Sequence, residues 1–332
     1  MRTITTGGIT IAAVLLSASL AVSCSKPITE SKEAKGAAKE VPIRLMWLNQ
    51  AQFAGFYFAD RAGYYKDEGL NVSLEPGGMD FPAVKMVASG SDTFGVCGAE
   101  QILLARAHGI PVVAVAVIFR RSPFVLFARK DSGITKPADF IGKKAGVKFG
   151  DSGELVYRAV LKGAGVDSSK IEEVPVKFDL TPFLNKKIDV MTGYVINETI
   201  ACEEQGQPVN FIWPDEYGVK FYGDTLFTTE DTIKKDPQLV RSVVKATVHG
   251  WQDAMEKPSQ AIMYTLETGG KLNEQHEIKM LKAAIPLLKP DKNPIGYMEP
   301  AVWQSMEQLL LKQGFIKKPV DVSQAFTNEF LP

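Results

Sequence analysis

The chain has 332 residues, 45% of them hydrophobic and 23% charged, with 38 Lys and Arg against 38 Asp and Glu. A formal net charge of zero argues against nucleic acid or an acidic surface as the partner. Three scattered histidines (His108, His249, His276) and three cysteines in unrelated contexts argue against a histidine-rich metal site and a disulfide-dense scaffold.

The first 23 residues carry one charge, Arg2, ahead of the apolar or small run from Ile9 to Val22, which reads as an export signal too short for a comfortable membrane span. Leu20-Ala21-Val22-Ser23-Cys24 resembles a lipoprotein box, in which small residues fit the signal-peptidase pocket and the cysteine sulfur receives a diacylglyceryl group. The mature chain is then expected to begin at a lipidated Cys24, with the acyl chains contributing about 0.8 kcal/mol per buried CH₂ at the membrane. A plain cleaved signal with an incidental Cys24 is the alternative. Residues 25–40 (SKPITESKEAKGAAKE) bury too little apolar surface to offset ordering entropy, so 24–41 is expected to be a lipid-anchored flexible tether.

From Val41 the composition is that of an ordinary globular protein, and the remaining ~290 residues suit two lobes. The pattern predicts a strand over Ile43–Leu48, a helix over Phe53–Ala62 stopped by Gly63, a strand over Asn71–Leu74, a helix over Ala83–Ala88, a strand over Phe94–Val96 and a helix over Glu100–Ala107. Val112–Ile118 is a continuous apolar run, as in a strand covered on both faces. The alternation restarts after Gly133. Strands are predicted at Lys144–Val147, Val174–Phe178, Val190–Met191 and Asn210–Trp213, with helices at Glu154–Lys162 and Thr199–Gln205. After Leu226–Thr228 the chain turns helical. Asp236-Pro237 opens a helix with Leu239, Val240, Val243, Val244, Thr247 and Trp251 on one core-packing face, and further helices follow at Pro258–Leu266, Glu274–Leu281 and Pro300–Lys312. Cys97 and Cys202 are expected as buried thiols, although a disulfide between them stays open.

These elements describe the two-lobed α/β arrangement of type II periplasmic binding proteins, with a two-segment hinge. The expected division is 1–23 signal peptide, 24–41 tether, 42–129 plus 224–332 as lobe one, and 130–223 as lobe two. The crossings are expected near Phe127 to Lys130 and Tyr222 to Thr225, with the ligand where strand C-termini and helix N-termini face each other.

Trp47-Leu48-Asn49-Gln50-Ala51-Gln52-Phe53-Ala54-Gly55-Phe56-Tyr57 and Gly63-Tyr64-Tyr65-Lys66-Asp67-Glu68-Gly69-Leu70 resemble the solute-binding proteins related to thiamine-pyrimidine synthases. The match continues through Pro76-Gly77-Gly78, Gly193-Tyr194, Asn197-Glu198, Tyr222-Gly223-Asp224-Thr225-Leu226 and Thr327-Asn328-Glu329-Phe330-Leu331. The resemblance implies an exported, monomeric protein that passes a small molecule to an ABC permease and its ATPase. It implies formylaminopyrimidine-type thiamine precursors as ligands, with riboflavin, alkanesulfonates or nitrate in relatives.

Read for chemistry, Trp47 offers an indole to a flat ring, and Asn49 and Gln52 offer amides, with Phe53 and Tyr57 beside them. Trp47 and Phe53 sealing the core is the competing reading. The turn Gly150-Asp151-Ser152-Gly153 either presents backbone N–H groups and the Ser152 hydroxyl to a ligand or simply caps a helix. It is read as having neither a lysine partner nor the spacing of a nucleotide loop. Glu198, beside Asn197, and Asp224, beside Tyr222, are the carboxylates expected near the cleft, where they can accept from an exocyclic amine or pair with a protonated ring nitrogen. Ordinary surface or hinge-locking acids are the alternative. The balance of aromatic rings, amides and carboxylates points to a nitrogen heterocycle, the thiamine pyrimidine precursor ahead of riboflavin.

Fungal members of this superfamily make the thiamine pyrimidine with a pyridoxal-phosphate lysine and a sacrificed histidine just after the third strand. Aligning Gly90 to Gly109 with that segment puts Cys97 at the lysine position and Gln101 at the histidine position. A thiol cannot form the stable imine of an amine, and an amide cannot replace the imidazole, so neither catalysis nor a cofactor is expected. The cysteine-rich stretch of those enzymes has no counterpart around Tyr217 to Thr228. A sensory role is expected to need a separate partner, since no transmembrane helix links the chain to a kinase.

Overall fold

A computed structural model describes residues 39–289 and 291–332. The leader, the lipidation candidate Cys24 and the tether up to residue 38 lie outside the described residues. Among the described residues the strands are β1 (Lys39–Arg44), β2 (Leu70–Glu75), β3 (Phe94–Gly98), β4 (Val112–Val117), β5 (Phe124–Arg129), β6 (Lys144–Val147), β7 (Glu172–Pro175), β8 (Val190–Tyr194), β9 (Val209–Ile212) and β10 (Asp224–Thr229). The helices are α1 (Ala54–Arg61), α2 (Tyr64–Asp67), α3 (Ala83–Ala88), α4 (Ala99–Ala107), α5 (Ser152–Gly163), α6 (Thr181–Leu184), α7 (Glu198–Glu204), α8 (Glu230–Lys235), α9 (Pro237–Glu256), α10 (Pro258–Gly269), α11 (Glu274–Leu288) and α12 (Pro300–Gln313). None of them is long and apolar enough to cross a membrane.

Two five-stranded sheets result, ordered β2-β1-β3-β10-β4 and β7-β6-β8-β5-β9. Each is parallel on one side and carries one antiparallel interior strand, β10 in the first and β5 in the second. Both are the first strands formed after the chain changes sheet. The two connections run side by side: Ile118 N–H donates to the Asp224 carbonyl at 2.7 Å, and Gly223 N–H donates to the Phe119 carbonyl at 2.8 Å. Arg121 stacks over Trp213 at 3.7 Å and clamps Asp215 with two hydrogen bonds.

This corrects two expected boundaries. Residues 124–129, assigned to lobe one, are β5 of the second sheet, so the chain crosses at 118–123 rather than near Phe127 to Lys130. The stretch from Val112 to Phe127 is apolar on both sides of the short break Arg120-Arg121-Ser122-Pro123, and local pattern does not say that the break is the crossing. In β5, Val125 and Phe127 enter one core while Leu126 and Ala128 enter another, as alternating strand residues must. Lys39 and Glu40, assigned to the tether, open β1, where they pair with Leu70 and Asn71 of β2. A strand edge needs only backbone partners, and Lys39 adds an ion pair to Asp236 at 2.6 Å, so polar composition alone did not decide their state. Cys97 and Cys202 are both buried and unpaired.

Helix α9 supplies the largest helical face of the first core. Asp236 caps it through the Leu239 N–H at 2.9 Å, and Leu239, Val240, Val243, Val244, Thr247 and Trp251 are all buried. It packs closely on α1, because Gly55 and Gly250 remove the side chains between the helices. A Cβ at Gly250 would press into the Gly55 carbonyl and the Ala59 methyl. Gly250→Ala is expected to lower the unfolding free energy by about 1–3 kcal/mol through overpacking. A urea midpoint unchanged from wild type would show that the two helices separate freely.

Candidate ligand-binding cleft

Between the two halves lies a cavity of about 300 Å³. Its walls are loops that leave the C-terminal ends of parallel strands: Met46 to Gln52 after β1, Gly78 and Met79 after β2, Cys97 and Gln101 at β3–α4, Lys148 to Ser152 at β6–α5, Phe178 after β7, and Tyr194 to Glu198 at β8–α7. An open parallel sheet leaves a crevice at that edge, where helix N-termini also point.

Of the residues expected from the sequence, Trp47, Gln52, Gly150, Asp151, Ser152, Asn197 and Glu198 line this cavity. Asn49, Phe53, Tyr57, Tyr222 and Asp224 do not line it, and each has another task. Phe53 and Tyr57 are fully buried in the first core. The Tyr57 hydroxyl donates to Asn49 Oδ1 at 3.1 Å and accepts from the Gln50 N–H at 3.3 Å, so the tyrosine and Asn49 hold the 46–50 loop that carries Trp47. Burial pushes the Tyr57 hydroxyl well above its ordinary pKa, which keeps it neutral. Tyr222 accepts from the Glu299 N–H at 3.0 Å and packs against Trp303.

Trp47 lies beyond the end of β1, and its ring meets Phe178 with centroids 4.5 Å apart at 46°. That spacing leaves no room for a ligand ring between them. The pair forms one aromatic wall, with Trp47 from one half and the 45%-exposed Phe178 from the other. The sequence pattern places Phe178 inside a strand, but β7 stops at Pro175 and frees it for the cleft.

The turn after β6 is capped and also used across the cleft. Gly150 adopts φ +85°, a conformation that favours glycine. Asp151 caps α5 by accepting from the Glu154 N–H at 2.9 Å. The nine-tenths buried Ser152 donates to Glu100 Oε1 at 2.7 Å and accepts from Gln101 Nε2 at 2.9 Å. Both of those partners belong to the other half, so the hydroxyl is a closure contact. The Tyr194 hydroxyl donates to Met46 Sδ at 3.5 Å, and His276 on α11 lies 3.0 Å from Asn197 Oδ1 and 2.8 Å from Glu204. These contacts hold the halves together around the cavity.

Contrary to the expectation from the sequence, the turn has a lysine partner. Lys148 stands two residues before Gly150, its side chain 6% exposed, with Nζ 3.5 Å from Glu198 Oε1 and 4.7 Å from the Phe178 ring centre. Glu198 Oε2 accepts from the Tyr194 N–H at 2.9 Å, which orients the carboxylate. Among the described residues, the charged side chains lining the cavity are Lys148, Asp151 and Glu198, so carboxylates outnumber the cation. Behind this wall Glu100 is 3% exposed, and desolvation raises its pKa despite the Ser152 hydrogen bond. Gln52 links the cavity to the buried Asp224, donating to Oδ2 at 2.8 Å while accepting from Gln50 at 2.6 Å. The Cys97 thiol is pushed well above its usual pKa by burial, with Glu100 and Asp224 adding to the effect.

The residues that pattern reading missed are Met46, Gln50, Lys148, Phe178 and Tyr194. A basic residue directly after a buried strand was the one available signal for Lys148, since strand ends at this sheet edge are where sites form.

A family profile described as NMT1/THI5 like matches residues 50–261, more than half of the chain. The chain is 27% identical to the riboflavin-binding protein RibY of Chloroflexus aurantiacus, over 89% of this chain and 86% of that protein. It is 22% identical to the formylaminopyrimidine-binding protein of Halalkalibacterium halodurans, over 96% of this chain and 98% of that protein. Its fold is similar to that of the periplasmic aliphatic sulphonate binding protein SsuA of Escherichia coli, with a TM-score of 0.68 and 17% identity over 86% of this chain and 91% of that one. The architecture is the periplasmic binding protein fold.

Proposed function

The chain belongs to the NMT1/THI5 like family, and from that premise we propose that it is an exported solute-binding protein that closes two lobes around a flat nitrogen heterocycle and presents the closed form to an ABC permease. Export through the leader and attachment through Cys24 are part of this reading. Ligand contacts on both halves favour the closed state, and their differential affinity for it supplies the driving free energy.

The observation that carries the heterocycle reading is the composition of the cleft. An aromatic wall of Trp47 and Phe178 stands beside amides from Gln50, Gln52 and Gln101, with carboxylates in excess over one lysine. Flat apolar surface with a few polar groups suits a heteroaromatic ring. A sulfonate or nitrate would meet Asp151 and Glu198 in a desolvated space where like charges repel. The cavity volume, about 300 Å³, favours the three-ring system of riboflavin over the single-ring thiamine precursor expected from the sequence, because one ring would leave much of it to water. The single-ring reading keeps support from the formylaminopyrimidine-binding relative, which aligns over 98% of its length.

A carrier rather than a catalyst is also favoured by Cys97 and Gln101. Both line the cleft, yet the thiol is held in its protonated form, which is a poor nucleophile.

Fluorescence titration of the mature protein with riboflavin, formylaminopyrimidine and ethanesulfonate tests the proposal. One heterocycle is expected to bind at micromolar concentration or below. Trp47→Ala is expected to weaken that binding at least tenfold, about 1.4 kcal/mol, without shifting the thermal midpoint by more than a few degrees. Unchanged affinity would remove Trp47 from the binding wall.

A further inference from the structure

Lys148 makes fewer bonds than its burial calls for. An ammonium carries three N–H donors and no acceptor, and among the described residues its one hydrogen-bond partner is Glu198 Oε1 at 3.5 Å, the outer limit of such a bond. The Phe178 face contributes a cation–π contact but accepts no hydrogen bond in the ordinary sense. A lysine whose side chain is only 6% exposed, left with unused donors, is costly to keep. The donors lie on the wall of the cavity, so an occupant of that cavity is the natural acceptor.

Glu198 is held in a complementary way. Its Oε2 is fixed by the Tyr194 N–H, while Oε1 faces Lys148 at a distance too long for a strong ion pair. Strands β6 and β8 are neighbours in parallel register, with Gly146 opposite Met191, so the residues that follow them come out side by side at one sheet edge. The lysine and the carboxylate are thus a donor and an acceptor placed together on the same lobe, facing Trp47 and Gln52 on the other.

We infer that Lys148 and Glu198 read one polar edge of the ligand, and that this pair sets its class. Lys148 donates to a ring carbonyl or unprotonated ring nitrogen, and Glu198 accepts from the N–H or amino group next to it. The inference rests on the proposed function and narrows it to neutral heterocycles whose edge carries an acceptor beside a donor, as cyclic amides and amidines do. An acceptor-only anion satisfies Lys148 but confronts Glu198 and Asp151 with a like charge, so the same pair rejects sulfonates. Neutral ligands with a matching edge leave no buried polar group unpaired, and the mismatch penalty is what makes such sites selective.

The test is a titration of the wild-type protein, Lys148→Gln and Glu198→Gln with riboflavin, formylaminopyrimidine and ethanesulfonate, with a thermal melt of each. Wild type is expected to bind a heterocycle in preference to ethanesulfonate. Each variant is expected to lose at least tenfold in heterocycle affinity, and Glu198→Gln to bind ethanesulfonate more tightly than wild type does. A measurement on wild type alone guards against variants that fail to fold. N3-methylriboflavin, whose donor between the two ring carbonyls is blocked, or the N,N-dimethylamino analogue of formylaminopyrimidine if that is the solute bound, should bind at least tenfold more weakly than its parent. Equal affinity for parent and blocked analogue, or heterocycle affinity unchanged in both folded variants, overturns the inference and leaves the functional proposal standing. Wild type that binds neither heterocycle overturns both.

Discussion

Asp224→Asn is expected to stabilise the protein at pH 8 by up to about 4 kcal/mol and to change its stability little at pH 4, because a pKa raised by one costs the ionised form about 1.4 kcal/mol. Asp224 is 1% exposed at the start of β10, where the chain has just returned to the first sheet. Its Oδ2 accepts from Gln52, but Oδ1 has no partner among the described residues, and the buried Glu100 repels its charge. Desolvation is the largest cause, and the carboxyl is pushed up from 3.8 to about 7. The folded state therefore binds more protons than the unfolded state between those values, so stability falls as pH rises through the window and is lowest above it. The asparagine keeps the oxygen that accepts from Gln52 and carries no charge to desolvate. Urea unfolding at pH 4, 6 and 8 measures the difference. If the two proteins give parallel profiles, Asp224 does not carry the charge cost assigned to it.

The second large effect is expected at Trp251. Trp251→Ala should cost about 3–5 kcal/mol, the range for truncating a buried large side chain where the surroundings cannot collapse. The indole is fully buried on α9, edge-on to Phe56 and to Phe119 at 6.1 Å each, and it fills the space left by Gly55. Phe119 belongs to the connection between the sheets, so this residue ties the helical face to the crossing. Its Nε1–H has no partner among the described residues, which makes Trp251→Phe much milder: the smaller ring loses packing but also removes an unsatisfied donor. The checking measurement is the urea midpoint of both variants, with the phenylalanine variant expected closer to wild type. An alanine variant within about 1 kcal/mol of wild type would mean that the neighbouring helices repack.

Much of the fold was legible in the sequence. The helix over Ala83–Ala88 and the strand over Lys144–Val147 coincide with α3 and β6, and the apolar stripe of α9 is buried as its spacing requires. These features depend on local periodicity, which survives in a single sequence. The cleft was legible in part. Trp47, Gln52, Gly150 to Ser152, Asn197 and Glu198 line it, while Phe53 and Tyr57 from the same aromatic run turn into the core. Alternation cannot separate those fates, because Phe53 and Tyr57 share one face of a short helical segment whose direction only the packing of α1 on α9 sets.

From the sequence alone came the balanced charge, the succession of strands and helices, the expectation of an exported two-lobed protein and the identity of most polar groups at the strand ends. Only the tertiary structure decided that β5 belongs to the second sheet, that Asp224 lies behind the cleft rather than in it, and that Lys148 reaches Glu198 beside Phe178. The reason is physical. Each of those facts depends on contacts between segments far apart in the chain, and their free energy comes from burial and from the register of neighbouring strands, neither of which is encoded in the residues next door.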